Sequence, residues 1–280
     1  MKIFAPAKIN WAIDIVGIRE DGYHFVDMIM QQIELYDYIT LDKNDNIIIT
    51  CDVPSVPTDE KNLCYKAAEL YFIEAGIKAG VSVRIEKHIP LEAGLAGGST
   101  DAAAVLIGLN RIYKEFSEED LLKIGAKIGA DVPYCIAGGI KRATNIGEVL
   151  KPINSKSTYD LVLVKPPFGA NTKLVYQSYD KSTFKKTDYS KKVIEALKTS
   201  DPNVLAKSIG NALEPVTFTL LPHMKDIKND IINSGALGAV MSGTGTCLIG
   251  LYENEIKAET AQSLLKKQHS DCFVFKAKTI

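Results

Sequence analysis

From residue 8 to 15 apolar and polar side chains alternate, with Ile9, Trp11, Ile13 and Ile15 on one face and Lys8, Asn10, Ala12 and Asp14 on the other. That is the period of a β-strand. On alternation alone the polar face is either a solvated surface or one wall of a cleft. Strand patterns recur at residues 36–41, 47–51 and 81–86. Between the last two, Leu63, Ala67, Leu70, Tyr71 and Ile73 fall at helical spacing, and Gly76 stands where a helix ends. Ser117 and Asp120 have the spacing of a capping box ahead of a helix at 121–128, which Gly129, Asp131 and Pro133 interrupt. The second half reads as a strand at 160–165, a turn at 166–169 and a helix from Thr172. A lysine-rich linker at 181–192 follows, then helical segments running through Asn211 to residue 233. Strands at 236–241 and 246–252, a helix at 255–268 and a strand at 272–275 close the chain. Strands and helices mix without a regular βαβ repeat, which predicts an α+β fold.

One stretch breaks both periods. Residues 90–104 place Gly94, Gly97 and Gly98 directly before Ser99, Thr100 and Asp101 and a run of small helix formers predicted to be helical from 102 to 109. The glycines permit close approach of a ligand to the backbone, and Ser99, Thr100 and Asp101 are the residue types that cap helices. The first N–H groups of a helix lack intrahelical partners and lie at the positive end of its dipole, so this stretch has the makings of a phosphate cradle. It is not a Walker A loop, because Gly98 rather than a lysine precedes Ser99, and the glycines do not have the G-x-G-x-x-G spacing of a dinucleotide site. Arg19, Asp21 and Gly22 form a second turn signal that delivers Tyr23 and His24, an aromatic ring and an imidazole able to stack on and hydrogen-bond to a planar base. A third small-residue turn, Ser242 to Gly245, reads by itself as a hairpin connection, with a second close-approach loop as the alternative.

Composition narrows the ligand class. With 280 residues, 46% hydrophobic, 24% charged and a net charge of −1, the chain has the make-up of a globular protein and no bulk attraction for nucleic acid or an anionic membrane. An anionic ligand must therefore be held locally. No apolar run reaches the roughly 20 residues of a membrane span, and none resembles a signal peptide, so a cytoplasmic location is expected. The five cysteines and four histidines are dispersed without C-x-x-C pairs, which suggests reduced thiols and neither a disulfide frame nor a zinc site. The length favours two domains, with the polar stretch at 152–157 as the boundary, giving 1–152 and 153–280.

The motifs in this order are similar to those of the GHMP kinases: Pro6-Ala7-Lys8-Ile9-Asn10, Arg19-x-Asp21-Gly22-Tyr23-His24, Pro90-x-x-x-Gly94-Leu95-Ala96-Gly97-Gly98-Ser99-Thr100, Gly129-Ala130-Asp131-Val132-Pro133 and Ser242-Gly243-Thr244-Gly245. The resemblance implies an N-terminal ATP-binding domain like the second domain of ribosomal protein S5 and a C-terminal, substrate-side domain with a ferredoxin-like core. The second and fourth segments further resemble the branch of the superfamily that acts on a methylerythritol carried on cytidine diphosphate. That implies ATP-dependent phosphorylation of its tertiary 2-hydroxyl, a step of non-mevalonate isoprenoid synthesis, with another GHMP small-molecule kinase, of homoserine or mevalonate type, as the alternative.

Carried over residue by residue, the resemblance implies Asp131 as general base and Lys8 as its neighbouring cation. It places Asn10, Tyr23, His24, Lys87, Thr244 and Gly245 on the acceptor substrate, with Tyr23, His24 and Lys87 at the cytosine. Asn62 and Leu63 line the adenine, and Pro90, Gly94, Leu95, Ala96, Gly97, Gly98, Ser99 and Thr100 wrap the ATP phosphates. Mg²⁺ accompanies ATP, with Ser99 the best candidate for a side chain touching it, in a monomer or homodimer whose partners are small molecules. The loop departs from the commoner form at Glu92 and Ala96, positions often held by glycine. Ala96 then needs a backbone that tolerates a Cβ, and Glu92 adds negative charge near the triphosphate unless it points away.

Overall fold

A computed structural model describes residues 1–155, 157–182 and 187–280. The lysine-rich stretch at 183–186 and residue 156 of the expected boundary loop lie outside the described residues. In chain order the elements are strands β1 (Lys2–Ile18), β2 (His24–Asn44) and β3 (Ile48–Cys51), helix α1 (Leu63–Ala75) and strand β4 (Gly80–Glu86). Helices α2 (Gly97–Tyr113), α3 (Glu118–Ile128) and α4 (Val132–Ala137) lead to strands β5 (Ile140–Asn145), β6 (Val149–Pro152) and β7 (Asp160–Lys165). Then come α5 (Thr172–Asp180), α6 (Tyr189–Thr199), α7 (Pro202–Ala206), β8 (Gly210–Asn211), α8 (Glu214–Leu220) and α9 (His223–Asn233). Strands β9 (Gly238–Met241) and β10 (Leu248–Tyr252), helix α10 (Glu255–Gln268) and strand β11 (Phe273–Lys278) complete the chain. None of the described helices is long and apolar enough to cross a membrane.

The chain divides into two compact units. The first comprises Met1–Ala7, Leu35–Ile89 and Ala96–Gly138. Here β3 runs parallel to β4, and β4 runs antiparallel to the second half of β2. A single crossover, through α1, joins β3 to β4, as a parallel pair requires. Helix α1 begins where Asn62 accepts a hydrogen bond from the Cys64 N–H and ends at left-handed Gly76. Helix α3 opens on the capping box anticipated at Ser117 and Asp120, with both reciprocal bonds present. After the break at Gly129 the chain re-enters a helix, α4, because Pro133 is tolerated in a first turn. That short helix is not visible in the hydrophobic pattern.

The second unit comprises Lys8–Glu34, Pro90–Leu95 and Gly139–Ile280. Strand β5 pairs antiparallel with the first half of β2 and with β6, and β8 pairs in parallel with Ala12 and Ile13 of β1. A separate antiparallel sheet has the order β11-β7-β10-β9, with α9 and α10 packed on it. Strand, helices, two strands, helix and strand in that order make the ferredoxin-like arrangement.

One reading of the sequence needs correction, and one pair of alternatives it left open is decided. Residues 209–212 are not helical, since Gly210 and Asn211 form β8. The polar side of 8–15 is not solvated: Lys8, Asn10 and Asp14 are as buried as Ile9 and Trp11. Burial of polar groups demands partners, and Asp14 shows how they are found. Its carboxylate accepts the N–H groups of Tyr189 (3.0 Å) and Ser190 (2.8 Å) and the Thr187 hydroxyl, so a strand residue caps α6 in place of Asp188. Trp11 likewise donates its Nε1–H to Gln31 Oε1 at 2.8 Å.

Candidate functional site

The glycine stretch enters its helix in a way the sequence does not predict. Helix α2 starts at Gly97, with Ala96 in the capping position at φ 58, ψ 30, and no side chain caps it. Ser99, Thr100 and Asp101 are therefore inside the first turns rather than ahead of them. Thr100 turns its hydroxyl away to Pro6 O at 2.8 Å, and Asp101 points into the protein. An uncapped start leaves the first N–H groups of α2 without intrahelical partners, the arrangement that receives an anion.

Within the first unit, two expected site residues abut this start. A Cβ built on Gly98 would stand 3.6 Å from Leu63 Cδ1, and one on Gly97 would stand 3.1 Å from Lys87 Nζ. Asn62 spends its side chain on capping α1 and on a hydrogen bond to Pro57 O at 2.6 Å, so it can offer a nucleotide base chiefly its shape. Lys87 is not available to a cytosine. Its ammonium is held by Asp37 and by Asp101 (2.8 Å), all three side chains being buried, and Asp37 also accepts the N–H of Ile89 at 2.8 Å. Burial works against the Lys87 charge, but the two carboxylates outweigh it and hold its pKa above the ordinary lysine value. On Asp101 burial is the largest influence and, with Asp37 beside it, raises the pKa despite the lysine. The triad is thus a support beneath Gly97. Asp131 occupies the bend between α3 and α4 at φ −84, ψ −14, half-buried, and makes no side-chain hydrogen bond to cap α4.

Within the second unit, Lys8 and Asn10 share a strand face as alternation predicts, and Lys8 Nζ donates to Asn10 Oδ1 at 2.7 Å. Asn10 Oδ1 also accepts the Gly243 N–H at 3.1 Å, and Asn10 N–H donates to Ser242 Oγ at 3.2 Å. Ser242 Oγ in turn donates to Gly94 O at 2.9 Å, Cys247 N–H to Ala93 O at 3.1 Å and Lys8 N–H to Leu95 O at 3.1 Å. The start of the glycine loop is therefore tied to the strand that carries Lys8 and to the turn that carries Thr244 and Gly245. Thr244 sits 3.1 Å from the Thr172 hydroxyl, and Gly245 takes φ 98. Asn211 locks this turn by donating to Met241 O (2.8 Å) and Gly243 O (2.7 Å). Nothing local marks Asn211 in the sequence, whereas Ser242 is visible as the head of its motif.

Tyr23 and His24 form a separate group. The Arg19–Asp21 ion pair (2.8 Å) and the Tyr23 N–H to Asp21 bond (3.2 Å) fix the turn, and the Tyr23 N–H, ahead of Arg19, lowers the Asp21 pKa. Tyr23 is 64% exposed, while His24 is buried. The imidazole pairs with Asp180 through Nε2 at 2.6 Å and lies on the Tyr176 ring, centroids 4.7 Å apart. Asp180, Tyr176 and Tyr179, whose ring stands edge-on to His24 at 6.4 Å, all come from α5, and sequence reasoning misses them because helix spacing does not say which strand a helix will face. A cavity of about 300 Å³ in this unit, bounded by Phe168, His223, Asp226, His269, Asp271 and Cys272 among others, includes none of the expected site residues.

Comparison with known proteins adds to this geometry. Residues 62–139 match the GHMP kinases N terminal domain, and residues 193–271 match the GHMP kinases C terminal domain. The chain is 44% identical over 283 residues to a 4-diphosphocytidyl-2-C-methyl-D-erythritol kinase from Clostridium perfringens, covering 100% of this chain and 98% of the relative. It is 44% identical over 278 residues to the kinase of the same name from Clostridium tetani, covering 99% of each. Among solved structures, a 4-(cytidine 5'-diphospho)-2C-methyl-D-erythritol kinase superposes with a TM-score of 0.86 at 31% identity, covering 100% of this chain and 99% of that one. An L. major mevalonate kinase in complex with R-mevalonate superposes at 0.78 with 18% identity, over 100% of this chain and 95% of that one, a likeness of fold alone.

Proposed function

The chain belongs to the 4-diphosphocytidyl-2-C-methyl-D-erythritol kinases of the GHMP family, and from that premise we propose that it transfers the γ-phosphoryl group of ATP to the tertiary 2-hydroxyl of 4-diphosphocytidyl-2-C-methyl-D-erythritol. The products are ADP and the 2-phosphate, in the non-mevalonate route to isoprenoids, in the cytoplasm. The observation that carries the nucleotide half is the loop from Pro90 to Ala96 running into the uncapped start of α2. Backbone N–H groups at that start, together with the helix dipole, do the work that a Walker lysine does elsewhere.

Phosphoryl transfer asks little covalent chemistry of a protein and much positioning and charge stabilisation. Gly94 to Thr100 hold the phosphates, and Asn62 and Leu63 line the adenine. Asp131 takes the proton from the 2-hydroxyl as its oxygen attacks phosphorus. Lys8 places a positive charge where negative charge accumulates, and its bond to Asn10 fixes the ammonium while Asn10 orients the acceptor. Among the described residues no three His, Cys, Asp or Glu side chains are placed to hold a metal. Mg²⁺ bound with ATP would neutralise charge on the triphosphate oxygens, and Ser99 at the start of α2 is the side chain best placed in the sequence to help hold it. The division at residue 152 into nucleotide and acceptor domains belongs to the same reading.

Tyr23 stacks on the cytosine, and His24, held by Asp180, presents its free ring edge to it. Tyr23→Ala and His24→Ala are each expected to raise KM for the cytidyl substrate by about 5- to 100-fold, the value of one base–aromatic contact, with KM for ATP unchanged. Initial rates of ADP release with either substrate varied check this. The proposal as a whole is tested by offering the acceptor with and without its cytidine diphosphate. ADP release only with the intact compound supports it, and equal turnover of the bare polyol phosphate removes the cytidyl pocket.

A further inference from the structure

The phosphate loop bends through left-handed backbone at two residues that carry side chains, Glu92 at φ 51 and Ala96 at φ 58. For a residue with a Cβ this conformation is unfavourable, so the surroundings must hold it. Around Glu92 the holding contact is specific. A Cβ built on Gly169 would lie 2.1 Å from Glu92 Oε2, 2.7 Å from Glu92 Cβ and 3.0 Å from Glu92 Cδ, and all three nearest atoms belong to Glu92. The glutamate therefore lies flat over a bare stretch of backbone. Gly169 itself is not left-handed, so it is glycine for the room it leaves rather than for its torsion. The turn that bears it is fixed from behind, since Phe168 O accepts Lys165 Nζ at 3.1 Å and Thr246 Oγ1 at 2.7 Å. Burial lowers the Lys165 pKa and the Glu92 charge opposes that shift, which places ammonium and carboxylate in one neighbourhood. Beyond Glu92, Ala93 O and Gly94 O are each held by a donor from the turn at 242–247.

We propose that Glu92 is a positioning residue for the phosphate loop, seated on Gly169, with Lys165 anchoring the seat through Phe168 O. A carboxylate at this position repels a triphosphate if it faces the ligand. Turned onto Gly169, it clamps the first bend of the loop instead, so that the residues that follow enter α2 with their N–H groups aligned. The inference rests on the reading of this loop as the seat of the ATP phosphates.

Gly169→Ala tests it. The new methyl overlaps even Glu92 Cβ, which no side-chain rotation relieves, so the loop backbone must shift. KM for ATP and the ATP Kd from calorimetry are expected to rise roughly ten- to a hundred-fold, with KM for the cytidyl substrate within about twofold of the parent. Glu92→Gly in the same chain removes the overlap, and the double variant is expected to bind ATP as Glu92→Gly alone does, within about threefold. Lys165→Met, which leaves the loop untouched and removes one donor to Phe168 O, is expected to raise the ATP Kd about threefold to tenfold and serves if Gly169→Ala does not fold. Unchanged ATP affinity in Gly169→Ala, a defect that Glu92→Gly does not suppress, or unchanged ATP affinity in Lys165→Met overturns the inference. Because Kd is read without an acceptor, a failure of the assigned acceptor substrate overturns the functional proposal and leaves this one standing.

Discussion

Asp131→Ala is expected to lower turnover by about 10²- to 10⁴-fold, the usual contribution of a general base, while ATP binds as before. The bend between α3 and α4 fixes the backbone of Asp131, because Pro133 sets the torsion one residue beyond its neighbour and the Asp131 carbonyl already accepts the Cys135 N–H at 3.0 Å. The side chain is not spent on capping α4, which is where an aspartate in this position is most often used. Asp131→Asn keeps shape and loses basicity, so it is expected to fall as far as alanine. A structural residue would behave differently, with asparagine retaining most activity. Single-turnover rates and calorimetric ATP titrations on both variants separate the two cases, and near-normal turnover in either removes Asp131 from the chemistry.

Gly94→Ala is expected to abolish detectable ATP binding at nucleotide concentrations that saturate the parent. Gly94 has φ 74, and a Cβ there would lie 2.1 Å from Ser242 O and 2.9 Å from Ser242 C. Both sides of that clash are backbone. The same Ser242 donates its hydroxyl to Gly94 O and accepts from the Asn10 N–H, so the turn cannot retreat without releasing the strand that carries Lys8. Gly235→Ala supplies the comparison: its φ of 99 carries similar backbone strain, but nothing lies within 4 Å of the added methyl. That variant is expected to lose only about 1–2 kcal/mol of stability and keep its ATP affinity. If the two alanines behave alike, strain rather than the contact of the loop with Ser242 explains the requirement for glycine.

Much of the fold is legible because burial imposes a period on the chain. Strand β7 and helix α10 fall on the residues their patterns mark, and α1 ends at the glycine that stops it. Legibility fails where burial is two-sided. Strand β1 runs to Ile18 with Lys8, Asn10 and Asp14 covered as fully as their apolar neighbours, and alternation cannot tell a cleft wall from a solvated face. It fails also where pairing is short. Two residues, Gly210 and Asn211, make β8, and no pattern of length two carries a period.

The site divides in the same way. Its motifs are readable because glycines, a turn before an aromatic and a proline-fixed aspartate are local features. Their supports are not, since Asp37, Asp180 and Asn211 act on residues far away in the sequence. Lys87 is the instructive case. A lysine just ahead of a glycine loop suggests a ligand contact, and only the buried Asp37 and Asp101 show that its charge is already matched. Glu92 and Ala96 are the converse, two side chains at left-handed torsions where the family resemblance implies glycine.

A single measurement bears most directly on the assignment: kcat/KM with saturating MgATP for 4-diphosphocytidyl-2-C-methyl-D-erythritol, mevalonate and homoserine, with the position of the new phosphate read by phosphorus NMR. The cytidyl compound is predicted to lead by about 10⁴-fold or more, as a site built to hydrogen-bond its substrate rejects compounds that leave those groups unpaired, and to carry its phosphate on the 2-oxygen. Comparable or faster turnover of mevalonate or homoserine, or phosphate at another oxygen, would contradict it.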